Sequence, residues 1–303
     1  MDKKQIVALL NKDLEAEHGA IIQYLNHAYA IGEGDLACEI EAIAREEMRH
    51  LDWLAETIVE LGGELSLTRG KTNLAGKTPP LWMKNDVIAE KEAIAMYKEH
   101  IKAISDPEIK QLLQRILSDE ESHHADFVHF IDKVKEEKLK DVRGANSNKT
   151  TATLNWGIEH EYTVVLQYMF QSYYMKNKDA QKKLQNQAVN EMQHMGWLAE
   201  KLIDAESSPR LEHSAVEATG KKVKMAEMLE ADIKVEDIVA KRYDQTAKDT
   251  KEPGIKKLLE RLRDHELYHS KVFKGILKGE NSAVQGRDIA QVDRAMAEVK
   301  EIV

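Results

Sequence analysis

"REEMRHLDWLAE" (residues 45–56) returns as "VNEMQHMGWLAE" (189–200), with Glu-Met-x-His followed by Trp-Leu-Ala-Glu both times and a spacing of 144. Working outward, "LNKDLEAEHGAIIQYLNHAY" (10–29) lies over "LNWGIEHEYTVVLQYMFQSY" (154–173) at the same spacing. Beyond the motif, "DVIAEKEAIAMY" (86–97) matches "DIKVEDIVAKRY" (232–243), and "QLLQRILSDEESHHADF" (111–127) matches "KLLERLRDHELYHSKVF" (257–273), now 146 apart. The change falls in Gly-, Ser-, Thr- and Pro-rich stretches at about 62–82 and 205–225, where loops absorb length. The chain reads as two copies of one unit, over 1–143 and 150–280. They meet at the polar linker "RGANSNKTTAT" (143–153) and are followed by a tail, 281–303, with a short helix expected over 287–302.

Composition agrees with helices. Of 303 residues, 32% are charged and only five are proline, which favours long helices over sheet. The first copy predicts helices at roughly 3–31, 35–61, 82–104 and 107–138, and the second repeats them. Short first and third connections make antiparallel hairpins; a second connection of about twenty residues crosses the bundle. The expected class is all-α, two tandem four-helix bundles, each with one long crossover. A net charge of −9 argues against a nucleic-acid surface. The single Cys38 fits a reducing compartment, and no apolar run suits a signal peptide or a membrane span. A cytoplasmic protein is expected.

Chemistry enters where carboxylates interrupt the apolar stripes. The first helix runs Leu10, Leu14, Glu17, Ile21, Tyr24; the second Ile40, Ile43, Glu47, His50, Leu54; the third Met83, Val87, Glu90, Ile94, Tyr97; the fourth Leu113, Ile116, Glu120, His123, Phe127. Copy two repeats them with Glu161, with Glu191 and His194, with Glu236, and with Glu266 and His269. One unpaired buried carboxylate costs several kcal/mol, against a net domain stability of only about 5–15 kcal/mol. Four such groups at one level need protons or cations. Four carboxylates balance two divalent metals, and oxygen and imidazole donors suit iron or manganese. Glu and His at i and i+3 share a helix face, so one turn delivers both to one site.

This set, Glu, Glu-x-x-His, Glu, Glu-x-x-His on four successive helices, resembles the ferritin-like superfamily, the arrangement from which the general bundle rule is itself drawn. Within it, "EHGAIIQY", "REEMRH", "DVIAE" and "ILSDEESH" resemble bacterioferritin. The resemblance covers nearly all of 1–138 and, more loosely, 152–278. It implies Glu17 and Glu90 as terminal metal ligands, Glu47 and Glu120 as bridges, and His50 and His123 as one histidine per metal. The repeat carries those roles to Glu161, Glu236, Glu191, Glu266, His194 and His269. It also implies that the residue before each bridge orients a ligating histidine: Glu46 and Asp119 in copy one, against Asn190 and His265 in copy two, where weaker affinity or altered redox tuning is expected.

Bland readings stand beside these. Six Glu-x-x-His pairs occur, and Glu15/His18 and Glu121/His124 are expected to be decoys. Tyr24 and Tyr168 pack the core, or serve a ligand carboxylate or an electron transfer. Trp53 and Trp197 are packing residues. His18, His124 and His160 are expected on the surface. Met48 and Met192 fill an interface, with haem b between the copies as the secondary reading.

The expected function is oxidation of Fe(II) by O2 or H2O2 at two di-iron centres, with manganese as the alternative metal and a homo-oligomer in view. A di-metal peroxidase or catalase is the second reading, and a non-catalytic metal scaffold the third. The carboxylate that rubrerythrins add one turn after the third-helix glutamate is absent, since Ala93 and Val239 stand there.

Overall fold

A computed structural model describes residues 1–279; the expected tail helix over 287–302 lies outside them. Eight helices follow in order: α1 Lys3–Ile31, α2 Asp35–Glu60, α3 Pro79–Ala103, α4 Pro107–Glu136, α5 Lys149–Tyr174, α6 Lys178–Asp204, α7 Met225–Asp249 and α8 Pro253–Leu277. Their ends are written locally. Asp2 and Gln5 form a capping box, and Asp106 accepts from the Glu108 and Ile109 amides with Pro107 at the first helical position. α3 starts earlier than the apolar stripe suggests, because Pro79 and Pro80 occupy the first two helical positions, where a missing N–H costs nothing.

α1 packs on α2 and α3 on α4 as antiparallel hairpins, as do α5 with α6 and α7 with α8. The crossovers, 61–78 and 205–224, are pinned along the first helix of their own copy. The Gly70 amide donates to the Glu15 carbonyl at 2.7 Å, and a Cβ on Gly70 would lie 2.3 Å from that oxygen. Gln23 accepts from the Asn73 amide and donates to buried Asp86; Gln167 does the same with Glu217 and Asp232. One glutamine–aspartate pair per copy therefore ties crossover to bundle.

The copies pack through α1 against α6 and α2 against α5, and one apolar cluster runs across the junction, with a second around Tyr168, Leu184 and Phe273 within copy two. Corresponding residues meet across this junction. His18 Nε2 lies 2.5 Å from the hydroxyl of Tyr162, its counterpart 144 residues on. Such self-meeting marks an approximate two-fold axis. His18 is thus not the surface residue its sequence neighbourhood suggests: it is 3% exposed, because the second copy covers it. The crossovers add Arg69 on Glu212, and Lys221 on the Gly62 carbonyl. No described helix is long and apolar enough to cross a membrane.

Candidate metal centres

Each bundle gathers its six stripe residues at one level. In copy one, Glu17, Glu47, His50 and Glu120 offer atoms within 4.8 Å of one another, as do Glu47, Glu90, Glu120 and His123. Glu47 and Glu120 belong to both groups. Copy two has Glu161, Glu191, His194 and Glu266, and Glu191, Glu236, Glu266 and His269, sharing Glu191 and Glu266. All twelve side chains are buried. The second Glu-x-x-His of α4 is placed differently: Glu121 is exposed and pairs with Lys98 at 2.7 Å.

The histidines face the carboxylates through Nδ1. His50 Nδ1 lies 2.8 Å from Glu47, 3.0 Å from Glu120 and 3.6 Å from Glu17. His123 Nδ1 is 3.0 Å from Glu47. In copy two, His194 Nδ1 is 2.7 Å from Glu191 and 3.3 Å from Glu266, and His269 Nδ1 is 2.6 Å from Glu191. Many of these contacts are too misaligned for hydrogen bonds. Glu47 Oε1, Glu90 Oε2, Glu120 Oε1, His123 Nδ1, both oxygens of Glu191 and Glu266, and Nδ1 of His194 and His269 are buried without a hydrogen-bond partner among the described residues. Orphaned acceptors and ring nitrogens converging on one point are a donor set fit for cations.

Without cations the cluster must hold protons. Burial, then Glu120 and Glu47, pushes the Glu17 carboxyl far above its ordinary range. Burial, then the same two carboxylates, does so for Glu90. Burial would raise Glu47 as well, but the close His123 ring and the hydrogen bond from His50 overcome it and hold this carboxyl low. Burial opposes charge on His123, yet Glu47 and Glu46 raise it to about 9. In copy two, burial and then Glu266 raise Glu236 to about 8.

Tyrosines serve the four outer glutamates. Tyr24 donates to Glu90 at 2.5 Å, and Tyr168 donates to Glu236. Tyr97 and Tyr243 donate to Glu17 and Glu161 in the same way. Sequence reading passed over this second pair, although Tyr97 follows Glu90 by the same seven residues that separate Tyr24 from Glu17. It also missed a buried Asp13–His100 contact of 2.7 Å, one turn from Glu17. Trp53 lies beside His50, its ring centre 5.9 Å away, with the Arg115 guanidinium over its face. His124 and His160 are half-buried, and Met48 and Met192 are half-buried on α2 and α6.

The outward nitrogens differ between copies. His50 Nε2 faces Asp119 at 3.4 Å and His123 Nε2 faces Glu46 at 2.9 Å. In copy two, His194 Nε2 meets the ring nitrogen Nδ1 of His265 at 2.8 Å.

A four-helix bundle with a glutamate on each helix and two Glu-x-x-His turns defines the class, and comparison with known families agrees. The ferritin-like domain of the Ferritin family matches residues 7–136 and again 151–281. The chain belongs to that family as a tandem duplication. Among individual proteins, it is 32% identical over 127 residues to a bacterioferritin of Desulfovibrio desulfuricans, covering 40% of this chain and 71% of that one. It is 26% identical over 167 residues to a probable manganese catalase of Clostridium acetobutylicum, covering 45% and 74%. A solved structure of the D. desulfuricans bacterioferritin, described with its diiron site in different catalytic states, aligns over 44% of this chain and 82% of its own, at 30% identity and a TM-score of 0.41. Mycobacterium tuberculosis bacterioferritin aligns over 45% and 89%, at 26% identity and 0.41.

Proposed function

We propose that each bundle is a di-iron ferroxidase centre that takes Fe(II) as substrate and oxidises it with O2 or H2O2, in iron handling or detoxification in the cytoplasm. The observation that carries this is the pair of overlapping buried donor groups in each copy, which share Glu47 and Glu120, or Glu191 and Glu266. A shared carboxylate holds two cations at adjacent positions, as two-electron chemistry needs. Two Fe(II) surrender one electron each; H2O2 with two protons then becomes two waters, or O2 with two protons becomes H2O2. Glu17, Glu90 and the histidines would hold the ions individually, and Glu47 and Glu120 jointly. Tyr24 and Tyr97 keep the outer carboxylates oriented, and the apolar residues above and below keep bulk water out. Haem is outside this reaction, which needs only the glutamate–histidine clusters; an absorbance spectrum of the purified protein reads its presence directly.

Anaerobic Fe(II) titration of the metal-free chain tests the reading. Uptake near four irons per chain, falling to about two in Glu47→Ala and again in Glu191→Ala, is expected, followed by oxidant consumption when air or peroxide is admitted. No tight uptake rejects it. Kinship with a manganese catalase favours one competitor: evolution of O2 from peroxide by the manganese-loaded protein, faster than its iron-loaded form turns over, would assign that activity instead. Four bound metals with no oxidant consumed would leave a scaffold.

A further inference from the structure

We infer that the two centres are unequal in redox potential, so that copy one is oxidised first and copy two holds its iron ferrous longer, and that His265 and Asn190 set the difference. This rests on both clusters being di-metal centres. In copy one the outward nitrogen of each histidine meets a carboxylate: His50 meets Asp119 and His123 meets Glu46. A carboxylate that accepts this N–H draws the proton outward and pushes electron density into the ring, strengthening Nδ1 as a donor. The more highly charged ferric ion profits most.

Copy two has lost both carboxylates at the same helix positions. His194 keeps Nδ1 on the glutamates, so its proton sits on Nε2 and His265 accepts it through Nδ1 at 2.8 Å. A neutral imidazole polarises the N–H less and brings no negative charge. Asn190, an amide, stands where Glu46 does in copy one. Nearby cations do not cancel the difference. Arg49 and Arg115 lie 3.8 and 3.5 Å from Glu46 and Asp119, but at 56% and 66% exposure they are screened by solvent. In copy two the guanidinium corresponding to Arg115, Arg261, sits 4.1 Å from the Trp197 ring centre, and the position of Asp119 is held by His265. Trp197 in turn lies 6.1 Å from His265.

An orienting partner of this kind is worth about 10–100-fold in metal affinity. A tenfold larger loss for the ferric than for the ferrous ion moves the potential by about 59 mV per electron. The full chain, loaded anaerobically with four Fe(II), would be titrated with a redox mediator series while half-oxidised centres are counted by electron paramagnetic resonance. Two waves at least about 60 mV apart are expected. The double variant His265→Asp, Asn190→Glu merges them at the lower potential, and the reciprocal Asp119→His, Glu46→Asn merges them at the higher. Iron uptake of two in the wild type that rises to four in the first variant overturns it, since copy two then holds no iron to keep ferrous. Four irons with a single wave, or two waves that neither variant moves, overturns it. Uptake of two irons or fewer in the wild type and in both variants refutes the di-metal reading of copy two at the binding step, and this inference with it.

Discussion

Breaking the Asp13–His100 contact gives the sharpest test of the physical reading, because the second copy is its natural control. Asp13 is fully buried and His100 is 5% exposed, and the second oxygen of Asp13 has no hydrogen-bond partner among the described residues. Copy two has Gly157 and Thr246 at these positions, with Leu198 and the Tyr243 hydroxyl closed over Gly157. The bundle therefore does not need the pair, yet cannot tolerate half of it. Removing one member leaves a buried polar group uncompensated, at a cost of about 3–5 kcal/mol for Asp13→Ala or His100→Ala. Removing both leaves only a small cavity, about 3 kcal/mol or less. The singles would sum to at least about twice what the double shows, a coupling of about 3 kcal/mol or more. Calorimetry of the metal-free chain reads this as a melting temperature lower by about 6–20 °C for each single variant. Burial already pushes the Asp13 carboxyl up, and His100 opposes it. In His100→Ala the folded-state value rises further above the unfolded one. That variant's deficit is thus smallest at acid pH and grows as pH rises through the folded value. A double variant as costly as the sum of the singles, or a single costing under about 1 kcal/mol, would refute the reasoning.

Other expectations follow from the same geometry. The metal-free clusters hold extra protons at neutral pH, with His123 raised to about 9 and Glu236 to about 8. Fe(II) or Zn(II) uptake should release protons and tighten between pH 6 and 8, as calorimetry in two buffers of different ionisation enthalpy would read; proton-neutral binding contradicts it. Because these folded values lie above the unfolded ones, their stabilisation is complete at acid pH and lost as pH rises through them. Metal-free protein should therefore melt lower at pH 8.5 than at 5.5, with Asp232, also raised to about 8, adding to the loss. Tyr97→Phe removes the donor to Glu17 and should weaken metal binding in copy one by about tenfold or more while copy two, still served by Tyr243, is unchanged. Gly70→Ala drives a methyl into the Glu15 carbonyl and should cost about 1–3 kcal/mol in chemical unfolding.

The bundle and its twelve inward residues were legible because they follow a period. A glutamate that falls on an apolar stripe is conspicuous, and a second copy 144 or 146 residues on removes the ambiguity in register. The overlapping pairs on α4 illustrate this: only Glu120 and His123 stay in phase with Leu113, Ile116 and Phe127. Contacts between helices whose partners are distant in sequence carry no such period. His18 looks like a polar residue beside a ligand, and its burial depends on Tyr162 and the second crossover. Asp13 and His100 lie 87 residues apart, and nothing local announces that they meet. The Asp86–His27 pair, stacked against Trp82, was hidden likewise.

The His18–Tyr162 contact carries a consequence for how this chain can diversify. At the axis of a dimer of identical subunits, a residue meets itself, so a histidine faces a histidine and a tyrosine a tyrosine. Here the two sides hold different residues, matched as ring nitrogen and hydroxyl. Asp52 likewise receives the Tyr173 hydroxyl, whereas its counterpart Gly196 has no side chain to receive the Tyr29 hydroxyl, which lies 3.9 Å from where a Cβ would stand. Covalent fusion fixes the two halves at a one-to-one ratio and releases the junction from self-complementarity. Each half then becomes a lock for which the other is the key: a copy-one half paired with its twin would set His18 against His18 and lose the hydroxyl of Tyr162.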